Sequence, residues 1–356
     1  MTGLRKAPMP DPSSTPQGVS PYAARRKAER ISAPFVSLIV PVFNEEEVIE
    51  QFLDVVGDIL TREGLAHEFV FIDDGSRDRT AAILSDKISA GLPGCLIGLS
   101  RNFGKEAALT AGLDHANGDV AIVLDADLQD PPELIPQMIE GWRAGYDVVY
   151  GLRVDRTSDS AVKRGSASAF YRLFNRLSNI DLPANAGDYR LIDRCVIEAL
   201  RDLPERNRFM KGLFAWVGFS AMALPYERPA RAAGTTKWNY WKLWNFALDG
   251  LTGFSTLPLR VWFYCGAGIA TLAFSYALYL VLRTLVFGID MPGYASIMTA
   301  ILFFSGIQLL SIGIVGEYVA RLFNETKQRP VYLVRDVISG PKHPDENAET
   351  EGAGDA

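Results

Sequence analysis

The residues best equipped for chemistry are the carboxylates of Leu124-Asp125-Ala126-Asp127, which close the apolar run Val120-Ala121-Ile122-Val123-Leu124. Two acids one residue apart at the end of a buried strand offer oxygens to a divalent ion, which would neutralise a diphosphate and stabilise it as a leaving group. Gln129 lies just beyond, and Pro131-Pro132-Glu133 then opens the next helix in the usual way. A second acidic pair, Asp73-Asp74-Gly75-Ser76, ends another apolar run. One of its carboxylates can accept from a base N–H or a ribose hydroxyl while the glycine allows close approach, although the same string would also serve as a plain strand-turn-helix cap. The chain has three histidines, and its three cysteines, Cys95, Cys195 and Cys265, are far apart. Neither a disulfide framework nor a zinc spacing is present, so any metal is a hard cation held by oxygen.

These acids need a frame that brings them to one place. Strands are predicted at Val36–Pro41, Phe69–Ile72, Cys95–Leu99, Val120–Leu124 and Asp147–Tyr150, with helices near 45–60, 78–90, 105–116 and 133–143. That βα alternation implies an α/β fold with a mainly parallel sheet covered on both faces, which binds ligands at the carboxyl ends of its strands. Polar residues follow each predicted strand: Asn44 and Glu45, Asp73 and Asp74, Arg101 and Asn102, Asp125 and Asp127, and Arg153.

Two long apolar runs, Val261–Leu282 and roughly Tyr294–Val319, each meet a bilayer's requirement of about 20 residues. Charge falls at their ends, with Arg283 closing the first and Glu317 in the last turn of the second, and Asp290, Pro292 and Gly293 lie between them. Arg260, Arg321, Lys327 and Arg329 flank the outer ends against Arg283 at the short loop, which puts both ends on the cytoplasmic side. Upstream, Trp238-Asn239-Tyr240-Trp241-Lys242-Leu243-Trp244 mixes aromatic and basic residues as interfacial helices do. Gly266, Gly268, Gly306 and Gly313 would allow close helix packing and a homo-oligomer, such as a tetramer, through the hairpins.

The 356 residues accommodate one soluble domain of about 200 residues plus an appendage. A net charge of -6 and a pI near 5.3 argue against a nucleic-acid partner. Residues 1–34 carry six basic side chains and the stretch from Pro341 carries five acids, both without apolar periodicity, so both tails are expected to be disordered. No apolar leader opens the chain, which places residues 1 to about 258 in the cytoplasm.

In order along the chain, Pro41-Val42-Phe43-Asn44-Glu45-Glu46, Asp73-Asp74-Gly75-Ser76, Ser100-Arg101-Asn102-Phe103-Gly104-Lys105, the Asp125 to Pro132 string, Gly316-Glu317-Tyr318 and Arg329-Pro330 resemble the family 2 glycosyltransferases. The likeness is to the polyprenyl-phosphate glycosyltransferases with two C-terminal spans, dolichyl-phosphate mannose synthase relatives and bacterial undecaprenyl-phosphate glucosyltransferases among them. It covers roughly residues 35 to 335.

The resemblance implies a GT-A catalytic domain at 35–230, interfacial amphipathic helices at 231–260, two transmembrane helices within 261–320 (about 261–283 and 294–319) and a cytoplasmic return segment at 321–340. The disordered tails, 1–34 and 341–356, flank these. It implies inverting transfer of a hexose from a nucleotide-diphosphate sugar, UDP-glucose first, to undecaprenyl phosphate at the inner membrane. GDP-mannose is the alternative donor, and a non-catalytic nucleotide-sugar sensor or membrane scaffold the alternative role. By that likeness Pro41, Phe43, Glu45, Ile72, Asp74 and Ala126 hold the nucleotide, while Asp125, Asp127 and Gln129 hold Mg2+ or Mn2+ and the diphosphate. Arg153, Arg164, Arg231 and Lys237 meet donor or acceptor phosphates, and Arg208 steers the lipid head. The family commonly has Gly-Glu-Ser-Lys where this chain has Gly234-Thr235-Thr236-Lys237. Asp188, in Gly187-Asp188-Tyr189-Arg190, stands as a base or acceptor-orienting group, or else as a simple partner of Arg190 or Arg194. The Gln-x-x-Arg-Trp string of processive polysaccharide synthases is missing.

Overall fold

Strands that are apolar on both faces belong in the middle of a covered sheet, and in the computed structural model the predicted strands do form its centre. Residues 34–154, 186–206, 208–227, 257–287 and 293–341 are described. Arg164, Arg231, Lys237, the Trp238–Phe246 stretch and most of both tails lie outside them. The strands are β1 (Val36–Val42), β2 (His67–Asp73), β3 (Gly94–Leu99), β4 (Val120–Val123), β5 (Val148–Arg153), β6 (Ala186–Asp193), β7 (Ala221–Tyr226) and β8 (Val334–Ser339), in the order β7-β5-β6-β4-β1-β2-β3-β8. Strands β1 to β4 run parallel, β6 runs antiparallel to both β4 and β5, and β8 runs antiparallel to β3.

Alternate residues of β1 feed two cores. Leu38 and Val40 join Phe69, Phe71 and Ile122 beneath α1 (Ile49–Arg62), α2 (Thr80–Ser89) and α4 (Ile135–Arg143). Ile39 joins Val70, Ile72, Ile97 and Val123 beneath α3 (Lys105–His115), α5 (Arg194–Arg201) and α6 (Met210–Trp216). Helix α3 lies close to the sheet because it carries Gly112 at the contact, where a Cβ would come within 2.3 Å of Ile39 Cγ2. The chain leaves β1 towards β2 and β3 and later returns to the other side of β1 as β4, so the crevice for a ligand opens at the carboxyl ends of β1 and β4.

Three strands escaped the sequence reading. Strand β6 enters between β4 and β5, and β7 pairs parallel with β5 at one edge. Strand β8 lies in the stretch expected to be a simple return segment, yet it closes the other edge against β3, with Leu333 O accepting from Ser100 N at 2.8 Å.

Two long helices precede β8: α7 (Leu257–Phe287) and α8 (Tyr294–Thr326). Both overrun the expected spans. Glu317 is therefore not in a last turn but inside α8, paired with Arg321 one turn on at 2.9 Å. Among the described residues, one helical stretch, Phe303–Thr326, is long and apolar enough to cross a membrane, where two had been expected. Among the described residues, a Cβ built on Gly266, Gly268, Gly306 or Gly313 meets nothing within 4 Å.

Candidate active site

The register of β6 builds the centre of the site. Val123 pairs with Arg190 in the antiparallel ladder, and continuing that register by two residues sets Asp125 opposite Asp188. Like charges placed opposite each other across a sheet repel. Lys105, the first residue of α3, resolves the conflict: its Nζ lies 2.7 and 2.8 Å from the two Asp125 carboxylate oxygens and 2.8 Å from Asp188 Oδ2. Lys211 adds a second ammonium 3.7 Å from Asp188 Oδ1. Burial alone would raise the Asp188 carboxyl, but Lys105 and Lys211 hold it well below the usual carboxylate range. Burial nudges Asp125 upward against the pull of the shared Lys105, which is itself held far above an ordinary lysine by its two acids. Asp188 thus pairs with two lysines, and not with Arg190 or Arg194, the partners that the alternative reading of this residue offered. Arg190 instead donates to Gly187 O and lies 4.0 Å above the Phe214 ring, while Arg194 donates to the carbonyls of Ala116 and Gly118.

The rest of the DxD loop is tightly wound. Leu128 adopts a left-handed conformation at φ +53°, a strained one for a branched side chain, and Gln129 N donates to Asp127 Oδ1 at 3.2 Å. Gln129 and Ala126 are buried. Tyr226 donates to Asp130, and Arg153 lies 3.8 Å from the same carboxylate. Arg153 is therefore brought to the back of this loop.

The nucleotide candidates gather along the neighbouring rim. Phe43 is exposed, next to Asn44 in a left-handed conformation at φ +56°. Asn44 Oδ1 accepts from Arg77 N at 2.8 Å and Glu45 N donates to Thr80 Oγ1 at 2.8 Å, which fastens the loops after β1 and β2 to each other. Pro41 and Ile72 are paired neighbours in the β1–β2 ladder. Asp74 is buried and accepts from Phe103 N at 2.7 Å and Gly104 N at 2.9 Å. Burial raises its carboxyl and those two N–H groups oppose the rise. Its carboxylate thus fixes the loop that leads into Lys105, and Gly104 makes the turn at φ +96°. Arg208 is placed elsewhere: it donates to the carbonyls of Leu200, Leu203 and Glu205, closing the end of α5.

Sequence reasoning missed Lys105 and Lys211 as members of this cluster. One signal was available, because a lysine in the first turn of a helix opposes the helix dipole and asks for nearby acids. Among the described residues, no three acidic, His or Cys side chains form a ready metal cage. Three carboxylate oxygens from Asp125 and Asp188 nonetheless surround one cation. One or two carboxylates completed by substrate phosphates is how Mg2+ is commonly held, so the donor set fits such an ion.

The chain matches two family models, "Glycosyl transferase family 2" over residues 37–201 and "GtrB C-terminal hairpin" over 257–322. It is 49% identical over 302 residues to an uncharacterized glycosyltransferase of Synechocystis sp., covering 85% of this chain and 95% of that one. It is 48% identical to the prophage bactoprenol glucosyl transferase homolog of Escherichia coli, covering 85% and 99%, and 47% identical to the bactoprenol glucosyl transferase of Shigella phage SfV, covering 85% and 98%. A similar solved structure is the mannosyltransferase PcManGT from Pyrobaculum calidifontis in complex with GDP-Man and Mn2+, at 19% identity, 83% and 87% coverage and a TM-score of 0.44. A Rossmann-like, mainly parallel sheet with a double-acid loop at its switch point, matched to these relatives over nearly their whole length, makes the chain a member of glycosyltransferase family 2 carrying the GtrB C-terminal hairpin.

Proposed function

We propose that this glycosyltransferase moves glucose from UDP-glucose to undecaprenyl phosphate at the cytoplasmic face of the inner membrane, with inversion at C1. The observation that carries the reading is the convergence of Asp125 and Asp188 on one cation at the β1/β4 crevice. The relatives named bactoprenol glucosyl transferase support the sugar and the acceptor.

In the reaction an oxygen of the lipid phosphate bonds to C1 while the bond from C1 to the diphosphate oxygen breaks, and UDP leaves with the electron pair. Asp125 and Asp127 beside Gln129 would hold Mg2+ or Mn2+, which would supply charge neutralisation to that leaving group. The acceptor is already an anion, so no proton has to be removed. Asp188, held ionised by Lys105 and Lys211, is a poor proton acceptor and instead orients the cations that the two anionic substrates meet. Pro41, Phe43, Glu45 and Asp74 line the nucleoside end, with Ile72 in the core beneath them, and Arg153, Arg164, Arg231 and Lys237 serve the phosphates. Helices α7 and α8 cross the bilayer as a hairpin, which their exposed apolar surface supports, with residues 35–230 and both ends on the cytoplasmic side, which the basic residues at the outer ends support.

The test is transfer of labelled sugar into organic-extractable lipid by the purified full chain with undecaprenyl phosphate. UDP-glucose, UDP-galactose, UDP-N-acetylglucosamine and GDP-mannose are run in parallel. Label from UDP-glucose alone, lost on EDTA addition, is the expected result. Label from GDP-mannose alone would make the chain a mannose synthase, and donor binding without turnover would make it a sensor.

A further inference from the structure

We propose that Lys105 is a resident cation that holds Asp125 and Asp188 together before the donor binds and gives up Asp125 when a divalent ion arrives with a diphosphate. The inference rests on the reading of this crevice as a metal and diphosphate site. It adds a positioning residue that makes cation binding conditional on the donor.

The geometry is that of a substitute ion. The ladder between β4 and β6 ends at Val123 and Arg190, and its register carried two residues further brings Asp125 and Asp188 opposite each other, where their repulsion calls for a cation. Lys105 Nζ has three N–H donors, and three carboxylate oxygens stand 2.7 to 2.8 Å away. Its α-carbon is anchored, because Asp74 holds the N–H groups of Phe103 and Gly104 just before it. Only the flexible four-carbon stem is left to move, which suits a group that must swing and not slide.

The position is also locally unfavourable. A cation in the first turn of α3 faces the positive end of that helix, and nothing on the helix itself compensates except Glu106. A residue placed against its local preference and held by acids from two other elements marks a functional compromise.

The two acids are not left equally dependent on Lys105. Lys211 remains beside Asp188 if Lys105 departs, whereas both oxygens of Asp125 face Lys105. Departure of the ammonium therefore leaves Asp125 in need of a cation. A bare divalent ion must displace an ammonium that has no better place to go. An ion that arrives with a diphosphate brings the anion that receives it.

The test measures Mn2+ binding to the full chain in detergent, by electron paramagnetic resonance of free Mn2+, with and without UDP. Wild type should bind Mn2+ at least tenfold more tightly with UDP than without. Lys105→Met should bind Mn2+ without UDP at least tenfold more tightly than wild type, with the gain from UDP correspondingly reduced. Lys105→Arg, which keeps a cation between the acids, should keep the wild-type dependence on UDP. Should Lys105→Met fail to melt cooperatively, Lys105→Gln gives the same comparison. Unchanged or weaker Mn2+ binding without UDP in a folded neutral variant overturns the proposal, and the site reading stands as long as wild type still binds Mn2+ with UDP. If wild type binds no Mn2+ even with UDP, the site reading falls and this inference falls with it.

Discussion

The sheet and the helical hairpin are built from similarly apolar residues with opposite exposure. In the sheet, Phe71 is 0% exposed in the core that α1 and α2 cover, whereas on the hairpin Phe274 is 76% and Leu309 71% exposed. An apolar side chain in the first region is withdrawn from water by the chain's own helices. In the second nothing in the described chain covers it, and a contiguous surface of this kind marks contact with lipid or another protein. The polar groups differ as well. Those at the sheet's carboxyl edge are tied into ion pairs and backbone hydrogen bonds, while the hairpin carries few charges beyond the Glu317–Arg321 pair. The candidate chemical groups thus lie in the region tied by these contacts, and the uncovered apolar surface in the region with few of them.

The comparison breaks most visibly at the site. Asp125→Asn should lower transfer into lipid by about 10³-fold or more, with a melting curve close to wild type. A wild-type rate in the labelled-sugar assay would remove Asp125 from the machinery. Next in size, Phe71→Ala should cost about 3–5 kcal/mol on unfolding in detergent. Leu309→Ala should cost less than about 1 kcal/mol, because micelle or lipid replaces what the side chain touched. Equal losses in thermal melts would mean that the hairpin surface is buried in an assembly.

A finer test separates the strut from the cation it aims. Asp74→Ala should destabilise by about 2 kcal/mol through two orphaned N–H groups, and Asp74→Asn, which keeps one acceptor, by about half as much. Chemical denaturation of both variants reads the ratio.

The smallest effect is one of pH. Burial pushes Glu106 up to about 7, against the hydrogen bond it accepts from Met210 N–H. The folded carboxyl holds its proton more tightly than the unfolded one does, so its contribution is fully present below the unfolded value and lost as pH rises through about 7. Stability of wild type relative to Glu106→Gln should therefore fall by on the order of 1 kcal/mol between acid and neutral pH. Melting temperatures of the pair across that range check it, and a gap independent of pH would refute it.

Much of this was written in local pattern. The βα alternation, the acids at strand ends and the two long apolar helices all follow from the period and length of apolar runs, because burial on a strand or helix obeys a repeat visible within a dozen residues. The placement of Asn44, Asp74 and Asp125 on one edge follows from the same alternation, since parallel strands joined by helices all end on one side. Strands β6, β7 and β8 left no such trace. β6 is an antiparallel strand slotted between distant partners, and β8 completes the sheet only because the chain returns from the hairpin to an open edge of β3. Nor could local pattern show that Asp188 faces Asp125, or that Lys105 stands between them. Those contacts depend on strand register and on side chains from separate elements meeting at one point, and only the tertiary structure decides which partner a buried charge finds.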